Sequence, residues 1–184
     1  MQTFKFNHFR QYGCGQSGFS LLEVMIAFAV ISIGLLGVAK MQSVALNSTR
    51  NSNSRSLAAV FGASAASTMF ANQAYWRNGS PTSSVTVTKD VLTDATLAAN
   101  SVDCFNSQCT PSQLASYDLR DWGRSLAALL PSGSGQINCA QPTGSPVTCN
   151  VQISWREKLI AINQSTVATD NAPSTQTFTL LVQP

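Results

Sequence analysis

Residues Gly18-Phe19-Ser20-Leu21-Leu22-Glu23, followed by VMIAFAVISIGLLGVA up to Lys40, decide how the rest of this chain is read. From Phe19 to Ala39 there are 21 residues, predominantly apolar and carrying one formal charge. A helix needs about 20 such residues to cross a bilayer core of roughly 30 Å, so the segment is long enough to span. The charge is the anomaly. Glu23 lies inside the apolar block, where a carboxylate costs on the order of several kcal/mol near the bilayer centre and needs a partner. If the chain were cut after Gly18, Phe19 would carry a new α-amino group four residues before Glu23, protonated near neutral pH. In a row of axially staggered helices, the amine of one subunit meets the carboxylate of its neighbour and both charges cancel in an apolar setting. The lone acid then reads as an assembly contact.

The hexapeptide and the apolar tract behind it resemble the class III signal of type IV pilins and of the pseudopilins of type II secretion. The resemblance covers roughly the first quarter of the chain. It implies cleavage between Gly18 and Phe19 by a prepilin peptidase, N-methylation at Phe19 and an assembly role for Glu23. It also implies an α+β, type IV pilin-like fold: a long N-terminal helix, membrane-spanning in its first half, on a small antiparallel sheet with disulfide-stapled loops. The expected organisation is a leader at 1–18, a transmembrane and assembly half of the helix at 19–39, a periplasmic half at 40–77 and a globular head at 78–184.

A chain of 184 residues suggests one domain, and losing the leader leaves 166, enough for a modest core. Mean hydropathy of +0.06 is high for a soluble domain because one segment carries the excess. The formal charge of +3 comes largely from the leader. Of the 11 Lys and Arg, Lys5 and Arg10 precede the proposed cut, which leaves nine against eight Asp and Glu. A near-neutral mature chain argues against nucleic acid as its main direct ligand. Basic residues before the span and few charges just after it place the N-terminus in the cytoplasm and export the rest. The expected location is therefore a single pass of the inner membrane with a periplasmic head, and by resemblance an extracellular pilus afterwards.

Other readings of the N-terminus fit less well. A lipobox follows its hydrophobic region, whereas here the apolar run comes after Cys14. A secretory signal removed near Ala39 would have an apolar block longer than the usual 7 to 15 residues, and would leave Glu23 unexplained. Gly34 and Gly37 within the span suit close helix packing or, by the family resemblance, local loosening on assembly.

With Cys14 in the leader, Cys104, Cys109, Cys139 and Cys149 remain. An even set behind a membrane segment reads as two disulfides in an oxidising compartment, with three connectivities open. Local pairing, Cys104 with Cys109 and Cys139 with Cys149, is the simplest. A four-cysteine zinc site is the alternative, but CxxC spacing is absent.

Beyond Lys40 the chain is rich in alanine and has no proline until Pro81. One long helix is expected from about Phe19 to Tyr75, with Leu57, Val60, Phe61 and Ser64 as its stripe, resuming at Thr68 and Met69. Its weak point is Asn47 to Ser56, NSTRNSNSRS, where Ser and Asn compete with the helix by local hydrogen bonds. Asn78-Gly79-Ser80-Pro81 signals a turn. Val85 to Thr88 reads as a short strand, and Asp90 to Ala99 as one or two helical turns. Thr110-Pro111-Ser112-Gln113 is a capping box with proline at the first helical position, so a helix starts there. Leu114, Leu119, Trp122, Leu126, Leu129 and Leu130 form its apolar face, and Pro131 with SGSG ends it. A strand is expected to begin at Ile137 to Cys139. Val147, Cys149, Val151, Ile153 and Trp155 alternate with polar residues, the clearest strand pattern in the chain. Ser174 to Gln183 alternates too, with Phe178, Leu180 and Val182 on one face, so a small antiparallel sheet results.

The run DWGRSLAALLPSGSGQINC from Asp121 to Cys139, then VQISW, is similar to the minor pilins of the PilV class, which implies a minor subunit; a major one is the alternative. By resemblance the partners are the prepilin peptidase, other major and minor pilins through the N-terminal helix, the inner-membrane pilus assembly machinery and the membrane itself.

Enzymatic chemistry finds little support. The single histidine, His8, is in the leader, so the mature chain has no imidazole for a triad, a zinc ligand or a proton shuttle. There is no G-x-x-x-x-G-K-[ST] loop and no G-x-S-x-G elbow. Asp118 and Asp121 share a helix face, but with Arg120 and Arg124 beside them a solvated face is the simpler reading than a cation site. Arg120, Trp122 and Arg124 could stack on a single strand, yet Trp122 falls in the apolar stripe and is expected in the core. Arg50 and Arg55 are expected to be solvated or to face neighbouring subunits. No enzyme activity, cofactor or metal is expected. The open alternatives are a pseudopilin of type II secretion and a single-span anchored periplasmic enzyme or binding domain.

Overall fold

The computed structural model describes residues 18–78, 84–143, 145–157 and 173–184. It divides the chain into two compact units, 1–42 and 43–184. The first helix, α1 (Leu21–Ala71), supplies residues to both. The elements after it are α2 (Gln73–Trp76), β1 (Val85–Thr88), β2 (Val91–Leu92), α3 (Ala95–Ala99), α4 (Pro111–Leu129), β3 (Ser134–Ala140), β4 (Thr148–Glu157) and β5 (Ser174–Val182). This is an α+β, pilin-like fold: a long N-terminal helix on a small antiparallel sheet, with two disulfides.

In the first unit, α1 is continuous and its apolar side chains are uncovered. Leu22, Met25, Phe28, Val30, Ile33 and Leu36 are all exposed. Gly34 and Gly37 are helical, and a methyl group at either would touch nothing.

In the second unit, the five strands run β2-β1-β3-β4-β5, every pair antiparallel. The alternating residues of β4 drive this arrangement: Cys149, Val151, Ile153 and Trp155 all point inward. Opposite them, Phe178 and Leu180 of β5 turn toward α1, where Gly62 leaves room for the Phe178 ring. The inward stripe of α1 is Ala58, Gly62, Ala65 and Met69, all buried, with Leu57 and Phe61 half-buried beside them. Val60 and Ser64, expected on that stripe, are exposed. Small residues won because the sheet comes close to the helix, which apolar periodicity alone does not reveal. The polar run from Asn47 to Ser56 remains helical throughout.

The long helix ends earlier than expected. Asn72 leaves helical geometry at φ −113° and ψ 52°, its buried amide donating to the Pro111 carbonyl at 2.7 Å, and α2 resumes after it. The turn expected at Asn78 to Pro81 falls mostly outside the described residues. β1 stands where it was expected. The segment Asp90 to Ala99 is a correction: a two-residue turn, with Lys89 at φ 58°, first folds Val91 and Leu92 back onto β1, and only Ala95–Ala99 is helical. Gly123 of α4 makes this possible, since a Cβ there would lie 2.2 Å from the Lys89 carbonyl oxygen.

α4 starts on its full capping box. The Thr110 side chain accepts from Gln113 N, and the Gln113 side chain accepts from Thr110 N at 2.9 Å. Leu119, Trp122, Leu126 and Leu130 are buried as expected, but Leu129 is exposed. β3 begins at Ser134, three residues before the expected start, because Gly135 offers a flat place for the Trp122 ring. Cys139 and Cys149 face each other in register across β3 and β4 and are bonded; Cys104 and Cys109 close a short loop before α4.

Candidate assembly surface

The stretch that opens the chain's apolar tract begins outside regular structure. Gly18, Phe19 and Ser20 precede α1, and Phe19 is 84% exposed. Ser20 accepts the first helical hydrogen bonds, from Glu23 N at 3.0 Å and Val24 N at 3.3 Å. Glu23 thereby sits in the first turn of α1, where the helix dipole favours a negative charge.

Phe19 and Glu23 line one groove of about 390 Å³, together with Val24, Ala27, Phe28 and Ile31. Its walls are apolar and it is open. Among the described residues, no cation pairs with Glu23. The groove can therefore receive an apolar surface that brings a positive charge with it. An 18-residue window of α1 reaches a mean hydropathy of 2.5 with none of it buried, so the helix is long and apolar enough to cross a membrane.

The profile of the prokaryotic N-terminal methylation motif matches residues 14–39. The chain has a prepilin-type N-terminus. No curated protein matches it, and no solved structure does. The motif supports a type IV pilin or a pseudopilin in general, and suggests a structural role. It is consistent with processing by a prepilin peptidase and with pilin assembly. With one long apolar helix near the N-terminus, it fits a single-pass, membrane-anchored pilin.

Cys14 and His8 lie outside the described residues. The remaining candidates sit in the second unit. Trp122 is core, 7% exposed, and its indole N–H donates to the Phe61 carbonyl at 3.0 Å, tying α4 to α1. Arg120 is not presented for stacking. Its guanidinium donates to the carbonyls of Asp90, Ala98 and Asn100, closing the end of α3. Asp121 pairs with Arg124 at 3.3 Å on the surface. Asp118 is half-buried between Phe61, Thr68 and Trp122, and burial, then the charge of Asp121, pushes its carboxyl up to about 6. Burial likewise raises Tyr75 to about 12, with help from Asp94.

Arg55 is exposed, as a solvated arginine would be, but it is also committed within the head: it pairs with Glu157 at the end of β4. Nε donates to Oε1 at 3.2 Å and Nη2 to Oε2 at 3.0 Å. Glu157 is 3% exposed, and its Oε1 also accepts from the Trp155 indole at 3.0 Å. Arg55's own hydrogen bonds to Glu157, and then the charge of that carboxylate, hold its guanidinium above the ordinary value. Glu157 went unremarked in the sequence although a signal existed: it occupies the next inward position after Val151, Ile153 and Trp155, where an acid breaks the pattern.

Proposed function

We propose that this chain is a minor pilin, incorporated into or priming the assembly of a type IV pilus that serves twitching motility, adhesion or DNA uptake. The observation that carries the reading is the position of Phe19 and Glu23 on one open apolar groove at the start of an uncovered membrane-length helix. A prepilin peptidase cuts between Gly18 and Phe19, the new terminus is methylated, and the product is held in the inner membrane with its head in the periplasm. On assembly the Glu23 carboxylate meets the terminal amine of a neighbouring pilin, and the apolar face of α1 enters the filament core. The similarity of Asp121 to Cys139 and of VQISW to the PilV class favours a minor subunit.

Two measurements test this. The mass of the mature N-terminus is expected to begin at a methylated Phe19; retention of Met1 in wild-type cells overturns the reading in favour of an ordinary anchored periplasmic domain. Glu23→Ala is expected to keep membrane insertion and to lose incorporation into sheared filaments by about tenfold or more. Co-purification with secretion pseudopilins instead of pilus subunits would assign the chain to the type II machine.

A further inference from the structure

The inward stripe of α1 changes character along its length. From Ala58 to Met69 it is apolar or small, but Ser54, Asn51 and Asn47, one, two and three turns earlier on the same side, are polar and only half-exposed. They line a groove of about 530 Å³ whose other walls include Arg156 of β4 and the turn at Pro131 and Ser132. Arg50 lines it from the helix side. Neither the Arg50 nor the Arg156 guanidinium has an ion-pair partner among the described residues. Glu157, the one acid among the described lining residues, is already paired with Arg55 and held by Trp155. Among the described residues the groove thus offers two guanidinium groups without an ion-pair partner, two side-chain amides and two hydroxyls, with no carboxylate besides the paired Glu157.

We propose that this groove binds a phosphate group, supplied by the headgroup of an anionic phospholipid. Guanidinium matches phosphate oxygens by paired, charge-assisted hydrogen bonds, and two of them lining one groove with side-chain amides suit a tetrahedral oxyanion better than a planar carboxylate. The source follows from the chain itself. The apolar run ends at Ala39, and Asn47 lies seven residues beyond Lys40, at most about 25 Å of chain even when fully extended. Anionic headgroups attract basic residues held this close to a bilayer. The head would thereby be docked at the membrane surface while the protein waits in storage, and released as it leaves the bilayer. Only the choice of source rests on the membrane reading of the previous section.

The test uses the full-length protein in non-ionic maltoside micelles, titrated with dihexanoyl phosphatidylglycerol, dihexanoyl phosphatidylcholine and inorganic phosphate, with binding read by native mass spectrometry and equilibrium titration. Saturable binding of the phosphatidylglycerol is expected, weakened about tenfold or more in R50Q/R156Q and a few-fold in R50K/R156K, which keeps the charge but loses the planar fork. R124Q, which removes one positive charge elsewhere in the head, is expected to leave binding unchanged. Equal loss in R124Q overturns the site in favour of diffuse attraction. Inorganic phosphate competing at equal concentration, or equal binding of the phosphatidylcholine, overturns the assignment to an anionic lipid. Wild-type binding by R50Q/R156Q, with unchanged circular dichroism, overturns the groove altogether. None of these readouts requires a filament, so failure here leaves the pilin reading standing.

Discussion

The two ends of α1 obey the same backbone rules and live in different surroundings. Residues 21–42 carry large branched and aromatic side chains and bury none of them; residues 43–71 carry mostly alanine, serine and asparagine, yet contribute Ala58, Gly62, Ala65 and Met69 to the core. The difference teaches that burial in this protein follows proximity and not hydrophobicity. The first stretch is apolar for a surface the isolated chain does not contain, a bilayer or another helix. The second is small because a sheet already lies against it, and any larger residue would push that sheet away.

The largest expected effect sharpens this contrast. Met69 is 1% exposed and Met25 is 63% exposed. Met69→Ala should lower the stability of the head by about 2–5 kcal/mol, as for other buried methionines cut to alanine. Met25→Ala should leave the head's thermal melt, followed by near-ultraviolet circular dichroism, where it was. Equal effects would break the division between the two stretches.

Next in size is the attachment of α1 to β4. Glu157→Leu removes the acceptor of the buried Trp155 indole, and a buried donor left without a partner costs about 1–3 kcal/mol. Arg55→Leu leaves that indole bonded but strands the Glu157 carboxylate, so it too should lower the melting temperature. The double variant should cost less than the two losses added together, because the groups act as one unit. Strict additivity would show that the contact is incidental.

The glycines give a smaller and more pointed comparison. A methyl group at Gly34 touches nothing, whereas one at Gly62 would lie 2.7 Å from the Phe178 ring. Each substitution to alanine gains up to about 1 kcal/mol of helix propensity. At Gly62 that gain is offset by displacing an aromatic ring against its neighbours, a strain of about 1–3 kcal/mol. Gly62→Ala should therefore destabilise the head by about 1 kcal/mol net, and Gly34→Ala should not destabilise it. A stabilised Gly62→Ala would mean that Phe178 swings aside freely.

The smallest effect concerns pH. The Asp118 carboxyl is raised to about 6 by burial and then by Asp121, so the folded head holds a proton that the unfolded chain, at its ordinary value of 3.8, has already lost. Between pH of about 4 and 6 the head should lose stability as pH rises, the reverse of an acid held ionised by a partner. Asp118→Asn should flatten that slope. The readout is the melting temperature across that window, and because the carboxyl is only half-buried the change should be modest. A slope unaltered in Asp118→Asn would assign it to other groups.

Much of the fold was legible because the signals were local. The capping box at Thr110 and Gln113 needs only four residues to form, and the alternation of β4 needs only its own ten. The glycine, aromatic and glutamate at 18, 19 and 23 are likewise read within about one turn, at the start of the apolar span. What escaped was set by partners distant in sequence. Arg55 is 102 residues from Glu157, Trp122 is 61 from the Phe61 carbonyl it bonds, and Asn72 is 39 from Pro111.

By itself, then, the sequence determined where a membrane-length helix must lie, that an acid sits in its first turn, and that α4, β1, β4 and β5 form where they do. Those outcomes depend on hydrophobic periodicity and hydrogen bonds between near neighbours. Only the tertiary structure decided which face of α1 meets the sheet, where its helical geometry stops, and that Arg55 pairs with a buried Glu157. Alanine, serine and arginine are nearly indifferent to their side of a helix until another element arrives, and the choice is made by steric room and charge brought from far along the chain.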